Sequence, residues 1–173
     1  MADLSLWLIP DEEWRRLLSC IIARLSQQLG TPRFEPHLTL LSGIVMQHKD
    51  AANRAVQLAS QLGAFEVVVR RLSHRDEFFR ALFLEIERTP PLMDARRTAC
   101  TIFDRERDGA FLPHISLVYG NLPAALKEKI IAQLTLELKL PASFRVYRVD
   151  LMGASSRLPP SSWYCVASYV LGK

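Results

Sequence analysis

Pro36-His37-Leu38-Thr39-Leu40 and Pro113-His114-Ile115-Ser116-Leu117 carry one pattern twice: proline, histidine, aliphatic, hydroxyl, leucine. The only polar side chains in either copy are an imidazole and, two places on, an alcohol. Read as strands, the two-residue side-chain period sets His37 beside Thr39 on one face and sends Leu38 and Leu40 into a core. His114 and Ser116 repeat the arrangement. Two residues of strand rise are roughly 6.6 to 6.8 Å, which lets an imidazole and a hydroxyl engage different oxygens of one phosphate. Two such segments facing each other would make an acid and base pair that needs no metal.

Outward from these segments the chain alternates strands and helices. Residues 3 to 9 read as a strand, and Asp11, Glu12 and Glu13 then place carboxylates where a helix start favours them. Trp14, Leu17, Leu18, Ile21, Ile22, Leu25 and Leu29 follow at helical spacing, with Gly30 as the stop. A helix is predicted from about 50 to 62, then strands at 64 to 73 and 78 to 87 joined as a hairpin across residues 73 to 76. Pro91 opens a third helix, through Leu92, Ala95, Ala99 and Phe103. A charged loop, residues 105 to 109, delivers the second motif. A fourth helix begins beside Pro123, and strands at 143 to 152 and 162 to 171 follow, with Arg157 to Pro160 as their connection. The order predicts a single α+β domain over residues 1–173. It is bilobal and pseudo-symmetric, with two antiparallel sheets backed by helices around a central cleft.

Composition fits one soluble unit: 173 residues, 49% hydrophobic and 23% charged. The net charge of +4 and pI near 9.2 come without a run of Lys or Arg that would mark a nucleic-acid stripe, so a small anionic substrate suffices to explain them. Cys20, Cys100 and Cys165 have neither disulfide nor zinc spacing and are expected to be buried, reduced thiols. No basic start followed by an apolar stretch opens the sequence, and no apolar run nears the roughly 18 residues of a membrane span. A cytoplasmic monomer without membrane attachment is expected.

The duplicated His-x-Thr/Ser motif, its copies 77 residues apart, resembles the signature of the two-histidine phosphoesterase superfamily. Ser5 to Pro10, Phe34-Glu35-Pro36, His114 to Gly120 and Ser162-Trp163 extend the likeness to the cyclic phosphodiesterase branch of plant and yeast type, whose plant members hydrolyse ADP-ribose 1″,2″-cyclic phosphate. The resemblance implies a bilobal fold with both motifs facing across a groove. It implies hydrolysis of a ribose cyclic phosphate without metal or other cofactor, with His114 as general base and His37 as general acid, leaving a 2′-phosphate. Thr39 and Ser116 would hold the non-bridging oxygens. Tyr119 completes the branch's His-x-Ser-x-x-Tyr pattern, although strict alternation puts it on the face opposite His114 unless the strand ends near Gly120. Trp7 and Trp163 would flank the cleft for ribose or nucleoside stacking.

Other readings stay open at this point. The four motif side chains could satisfy one another in a structural interface, and Tyr119 could be core. RNA ends bearing 2′,3′-cyclic phosphates are the alternative substrate, disfavoured by the missing arginine that bacterial RNA cyclic phosphodiesterases carry soon after the second motif. A non-catalytic nucleotide- or RNA-binding module is the third reading. Arg105 and Arg107 are candidates for steering an anion at the rim, Phe83 is a weaker aromatic candidate, and His48 and His74 read as bystanders.

Overall fold

The computed structural model describes residues 2–106 and 111–172. Its elements run β1 (Ala2–Pro10), α1 (Glu12–Leu29), β2 (Leu38–Met46), α2 (His48–Gln61), β3 (Phe65–His74), β4 (Leu82–Ile86), α3 (Pro90–Ile102), β5 (His114–Val118), α4 (Ala124–Glu137), β6 (Ala142–Gly153) and β7 (Tyr164–Val170). Short 3₁₀ turns at Phe78–Arg80 and Pro160–Ser162 precede β4 and β7.

The order β-α-β-α-β therefore occurs twice, once as β1 to β3 and again as β4 to β6. Each motif strand lies beside the first strand of its own half, β2 on β1 and β5 on β4. The third strands are exchanged: β6 pairs with β1, and β3 pairs with β4. The α+β bilobal architecture expected from sequence is thus present, and all pairings are antiparallel. The two strand sets are also fused into one sheet, of order β1-β2-β5-β4-β3-β6-β7. Fusion occurs at two seams, where β3 pairs with the start of β6 and where Leu38 meets Ile115. Pairing these facing edges satisfies backbone groups that a separate sheet would leave open. Leu38 and Ile115 each follow a motif histidine, so the two imidazoles stand on either side of the same seam.

Alternation along β1 shows how the sheet separates core from cleft. Leu4, Leu6 and Leu8 are wholly buried among the helices, whereas Asp3, Ser5 and Trp7 line the cleft. Helix α1 packs on β1 and β5, α3 on β2 and β3, α2 on β6 and β7, and α4 on β3. Asp11 caps α1 through the Trp14 N–H at 3.1 Å and also accepts the Arg145 N–H at 2.8 Å, tying the helix start to β6. Gly30 ends α1 in the left-handed conformation, φ 65°. Leu18, Ile21, Ile22 and Leu25 form its buried stripe.

Two expectations need correction. The strand predicted from residue 78 starts at Leu82, because Arg80 N–H bonds Glu77 O and Arg75 N–H bonds Arg80 O, which fold residues 75 to 80 into a closed loop. Of the three cysteines only Cys100 is buried; Cys20 lies on the solvent side of α1 and Cys165 on the exposed edge strand β7. Among the described residues no helix is long and apolar enough to cross a membrane.

Candidate active site

A cavity of about 480 Å³ opens over the seam and is lined by both motif histidines, both motif hydroxyls, Tyr119, Trp7 and Trp163. His37 precedes β2, and His114 is the first residue of β5. Each imidazole is held in the same way. Nδ1–H of His37 donates to the Glu35 carbonyl at 2.7 Å, and Nδ1–H of His114 donates to the Leu112 carbonyl at 2.9 Å. In both copies the intervening residue is proline. It biases the preceding residue to extended backbone and so presets the carbonyl that the ring needs. With Nδ1 committed as donor, Nε2 carries the free lone pair in the neutral ring and the exchangeable proton in the charged one.

The first strand of each half, β1 or β4, places an aromatic opposite the hydroxyl. Trp7 is in register with Thr39, and Phe83 with Ser116. Trp7 stacks face to face on His37, ring centres 3.5 Å apart and planes within 6°. Phe83 meets His114 edge to face at 5.4 Å. One face of the Trp7 indole is therefore covered by imidazole and is closed to a nucleoside. Trp163 is the more exposed of the two cleft tryptophans. Its Nε1–H is fixed on the Ser155 carbonyl at 3.1 Å, and its ring lies nearly parallel to Phe79.

His37 is the more deeply buried imidazole, 7% exposed. Burial pushes its pKa down to about 4, opposed by the Glu35 carbonyl and reinforced by the neighbouring His114. His114 is half-buried and also lowered. Burial is the main cause; the Leu112 carbonyl opposes it, the Arg80 and Arg75 guanidiniums add to it, and Glu77 acts against them. At neutral pH both rings are thus favoured as neutral bases in the unliganded protein.

The hydroxyls differ. Thr39 Oγ1 makes no hydrogen bond among the described residues, whereas Ser116 Oγ–H donates to the Phe79 carbonyl at 2.8 Å. Tyr119 lies just past the end of β5, where Gly120 N–H bonds the Phe78 carbonyl instead of continuing a ladder. Its ring turns into the cleft, 3% exposed, stacked on Phe34 at 3.7 Å and edge-on to Trp163. Burial raises the phenol pKa, so it remains a donor.

Further lining residues escaped the sequence reading: Phe79 and Arg80 from the 3₁₀ turn, and Ser155, Ser156 and Arg157 from the loop after β6. Phe79 and Arg80 were hidden by an apolar run that read as strand. The one available signal for Arg157 was a basic residue following two serines in a loop. Arg80 is held by Glu77, with Nε to Oε2 at 2.7 Å. Arg105 does not line the cleft; its guanidinium bonds the carbonyl of Gly43. Arg107 lies outside the described residues. His48 faces Tyr164, and neither it nor His74 lines the cavity.

Comparison with known proteins adds three findings. A family model described as the 2′-5′ RNA ligase superfamily matches residues 9–156. The Cyclic phosphodiesterase of Arabidopsis thaliana is 30% identical over 156 residues, covering 89% of this chain and 80% of the plant protein, and the 2′,3′-cyclic-nucleotide 3′-phosphodiesterase of Phaeosphaeria nodorum is 29% identical over 139 residues, covering 72% of each. Among solved structures, the TT0787 protein of Thermus thermophilus superposes with a TM-score of 0.67 at 18% identity, covering 99% of both chains, which is a likeness of fold.

Proposed function

The chain belongs to the 2′-5′ RNA ligase superfamily, the two-histidine phosphoesterases, and on that footing we propose that it hydrolyses ribose cyclic phosphates to monoesters by paired histidine catalysis. Nucleoside 2′,3′-cyclic phosphates and ADP-ribose 1″,2″-cyclic phosphate are the substrates proposed. The observation that carries this reading is the pair of imidazoles across the β2–β5 seam, each with Nδ1–H tied to the carbonyl two residues back and each lining one cavity. Relatives named for cyclic phosphodiester hydrolysis support the same chemistry.

In the proposed reaction, water attacks phosphorus as His114 Nε2 takes its proton. The P–O bond opposite the attacking water breaks, and His37 Nε2–H protonates the departing ribose oxygen. One water is consumed and one monoester forms; the proton balance returns when the two rings re-equilibrate. The division of labour rests on the neighbours of each ring. Guanidiniums beside His114 disfavour its charged form, which suits a base. His37 lies face to face on the Trp7 indole, and the substrate anion brought into the cavity offsets the burial that keeps the ring neutral in the empty site, so it can enter the reaction as an imidazolium.

Thr39, Ser116 and Tyr119 are the proposed donors to the non-bridging oxygens, Thr39 with its hydroxyl already free and Ser116 by rotation away from Phe79. Trp7 positions His37, and Trp163 offers the open ring face. With the 3′ oxygen on the His37 side, the product is the 2′-phosphate. No metal takes part in this scheme, and a reducing cytosol suits its three free thiols. Phosphorus NMR of adenosine 2′,3′-cyclic phosphate and ADP-ribose 1″,2″-cyclic phosphate, with and without EDTA, tests the reading. Adenosine 2′-monophosphate should accumulate from the first substrate and a single ADP-ribose monoester from the second, each at the same rate in both conditions. Loss of turnover on chelation with recovery on adding zinc or manganese would sink it.

A further inference from the structure

A second cavity, of about 500 Å³, adjoins the cleft and shares Arg80 and His114 with it as a common wall. Its charge is concentrated: Arg70, Arg71, Arg75, Arg80 and Arg88 line it against Glu85 and Glu87, and with Glu77, which pairs with both Arg75 and Arg80, counted in, an excess of two positive charges remains. Five of the chain's 22 basic residues thus face one groove. The sequence shows no basic run because these arginines come from β3, the loop after it and the residues beyond β4. Arg70 and Arg71 are adjacent in a strand and would normally point to opposite faces. A register shift between Val69 and Arg71 lets both approach the single carboxylate of Glu85, at 3.7 and 2.8 Å. One carboxylate cannot neutralise two guanidiniums.

We infer that this groove binds a distal phosphate, one that the substrate carries beyond the cyclic phosphate held by the histidines. The inference rests on the proposed function for its starting point, since the cyclic phosphate must sit at His114 for the rest of the molecule to cross Arg80 into the groove. Guanidinium forks match phosphate oxygens in pairs, and their charge is fixed at any physiological pH. The distal group has two chemical sources: the pyrophosphate of a dinucleotide such as ADP-ribose cyclic phosphate, or the phosphodiester that precedes the cyclic end of an RNA strand. The groove makes a longer substrate better than a bare nucleoside cyclic phosphate in either case.

Two readouts separate this inference from the catalytic reading. In calorimetry at 50 mM salt, adenosine 2′,5′-bisphosphate should bind wild-type protein at least tenfold more tightly than adenosine 2′-monophosphate. The advantage should vanish in Arg71→Gln/Arg88→Gln, both residues lying outside the catalytic cleft, with circular dichroism to verify folding; Arg88→Gln alone, beyond the ladder, should show a partial loss. The advantage of the bisphosphate should also shrink as salt is raised, because the added contact is one between charges in a solvated groove. Equal binding of the two nucleotides by wild type, no binding of either, or an advantage untouched in the folded variants would overturn the inference. In kinetics, kcat/KM is compared among adenosine 2′,3′-cyclic phosphate, its 5′-phosphorylated form, ADP-ribose 1″,2″-cyclic phosphate and a five-nucleotide RNA with a cyclic end. A gain shared by the 5′-phosphorylated form and rising again in the RNA identifies a strand, and a gain confined to the ADP-ribose compound identifies a pyrophosphate. Tight bisphosphate binding without hydrolysis of any of the four would refute the catalytic reading and leave the groove standing.

Discussion

Acidification from pH 7.5 to 4.5 should destabilise this protein through His37 by an amount its environment sets. The ring is 7% exposed, and burial lowers its pKa to about 4 from the ordinary 6.5. The unfolded chain therefore takes up a proton near pH 6.5 that the folded chain refuses until about pH 4. Stability from this group is complete above pH 6.5 and is lost as pH falls through the interval between the two values. Two and a half pKa units at 1.36 kcal/mol each make about 3 kcal/mol, a large share of the ~5–15 kcal/mol typical of a domain. His114 is shifted in the same direction and adds to the slope, so the contribution of His37 must be isolated. Urea unfolding of wild type and His37→Gln at half-unit steps across this range does so, because titrating groups that do not interact with His37 cancel in the difference and only its coupling to His114 stays with it. The gap between the two stabilities should narrow or reverse in favour of the variant by about 3 kcal/mol toward pH 4. Parallel curves would mean that His37 titrates as a solvated imidazole, and the burial argument would be refuted.

The two hydroxyls should separate by what each already bonds. Thr39→Val should cost about 2–4 kcal/mol in transition-state stabilisation with little change in folding stability, whereas Ser116→Ala should cost about 1–3 kcal/mol in kcat/KM and about 1 kcal/mol in unfolding free energy, because it strands the Phe79 carbonyl. Identical profiles in kinetics and urea denaturation would erase that distinction. Lys127 is 1% exposed, and its ammonium bonds the Arg75 carbonyl at 2.9 Å and Asp76 at 2.6 Å, clamping the loop that presents Phe79 and Arg80. Lys127→Met should lower kcat/KM on the order of 10- to 100-fold by misplacing that loop, with partial rescue in Lys127→Arg; a folded Met variant with wild-type kinetics would show that the clamp has no bearing on the cleft.

Much of this was legible because two periodicities carry it. The helical stripe of Leu18, Ile21, Ile22 and Leu25 and the alternation of Leu4, Leu6 and Leu8 appear in the molecule as the sequence pattern suggests. Repetition of a short polar pattern in apolar surroundings located His37 and His114, and the proline before each turned out to preset the carbonyl that fixes its tautomer. What periodicity cannot show is tertiary exchange. Nothing local in β3 or β6 reports that each completes the other half's sheet, since that choice is made by long-range pairing. Loop chemistry was equally opaque. Phe78-Phe79-Arg80 has strand composition but is bent by two backbone hydrogen bonds, which delivers Arg80 to the wall between the cleft and the groove. The position of Tyr119 depended on where β5 ends, and one residue of difference decides which face a side chain takes.

That the two imidazoles act as a single acid–base couple is tested most directly by kcat/KM for adenosine 2′,3′-cyclic phosphate across pH in wild type, His37→Ala, His114→Ala and the double variant. Wild type should trace a bell whose two limbs belong to the coupled pair. Each single variant should lose at least roughly 10²- to 10⁴-fold while remaining folded, and the double variant should be little worse than either, because half of a proton relay cannot complete the reaction. A folded single variant with near-normal turnover, or losses that multiply in the double variant, would contradict the couple and leave the cleft as a binding site alone.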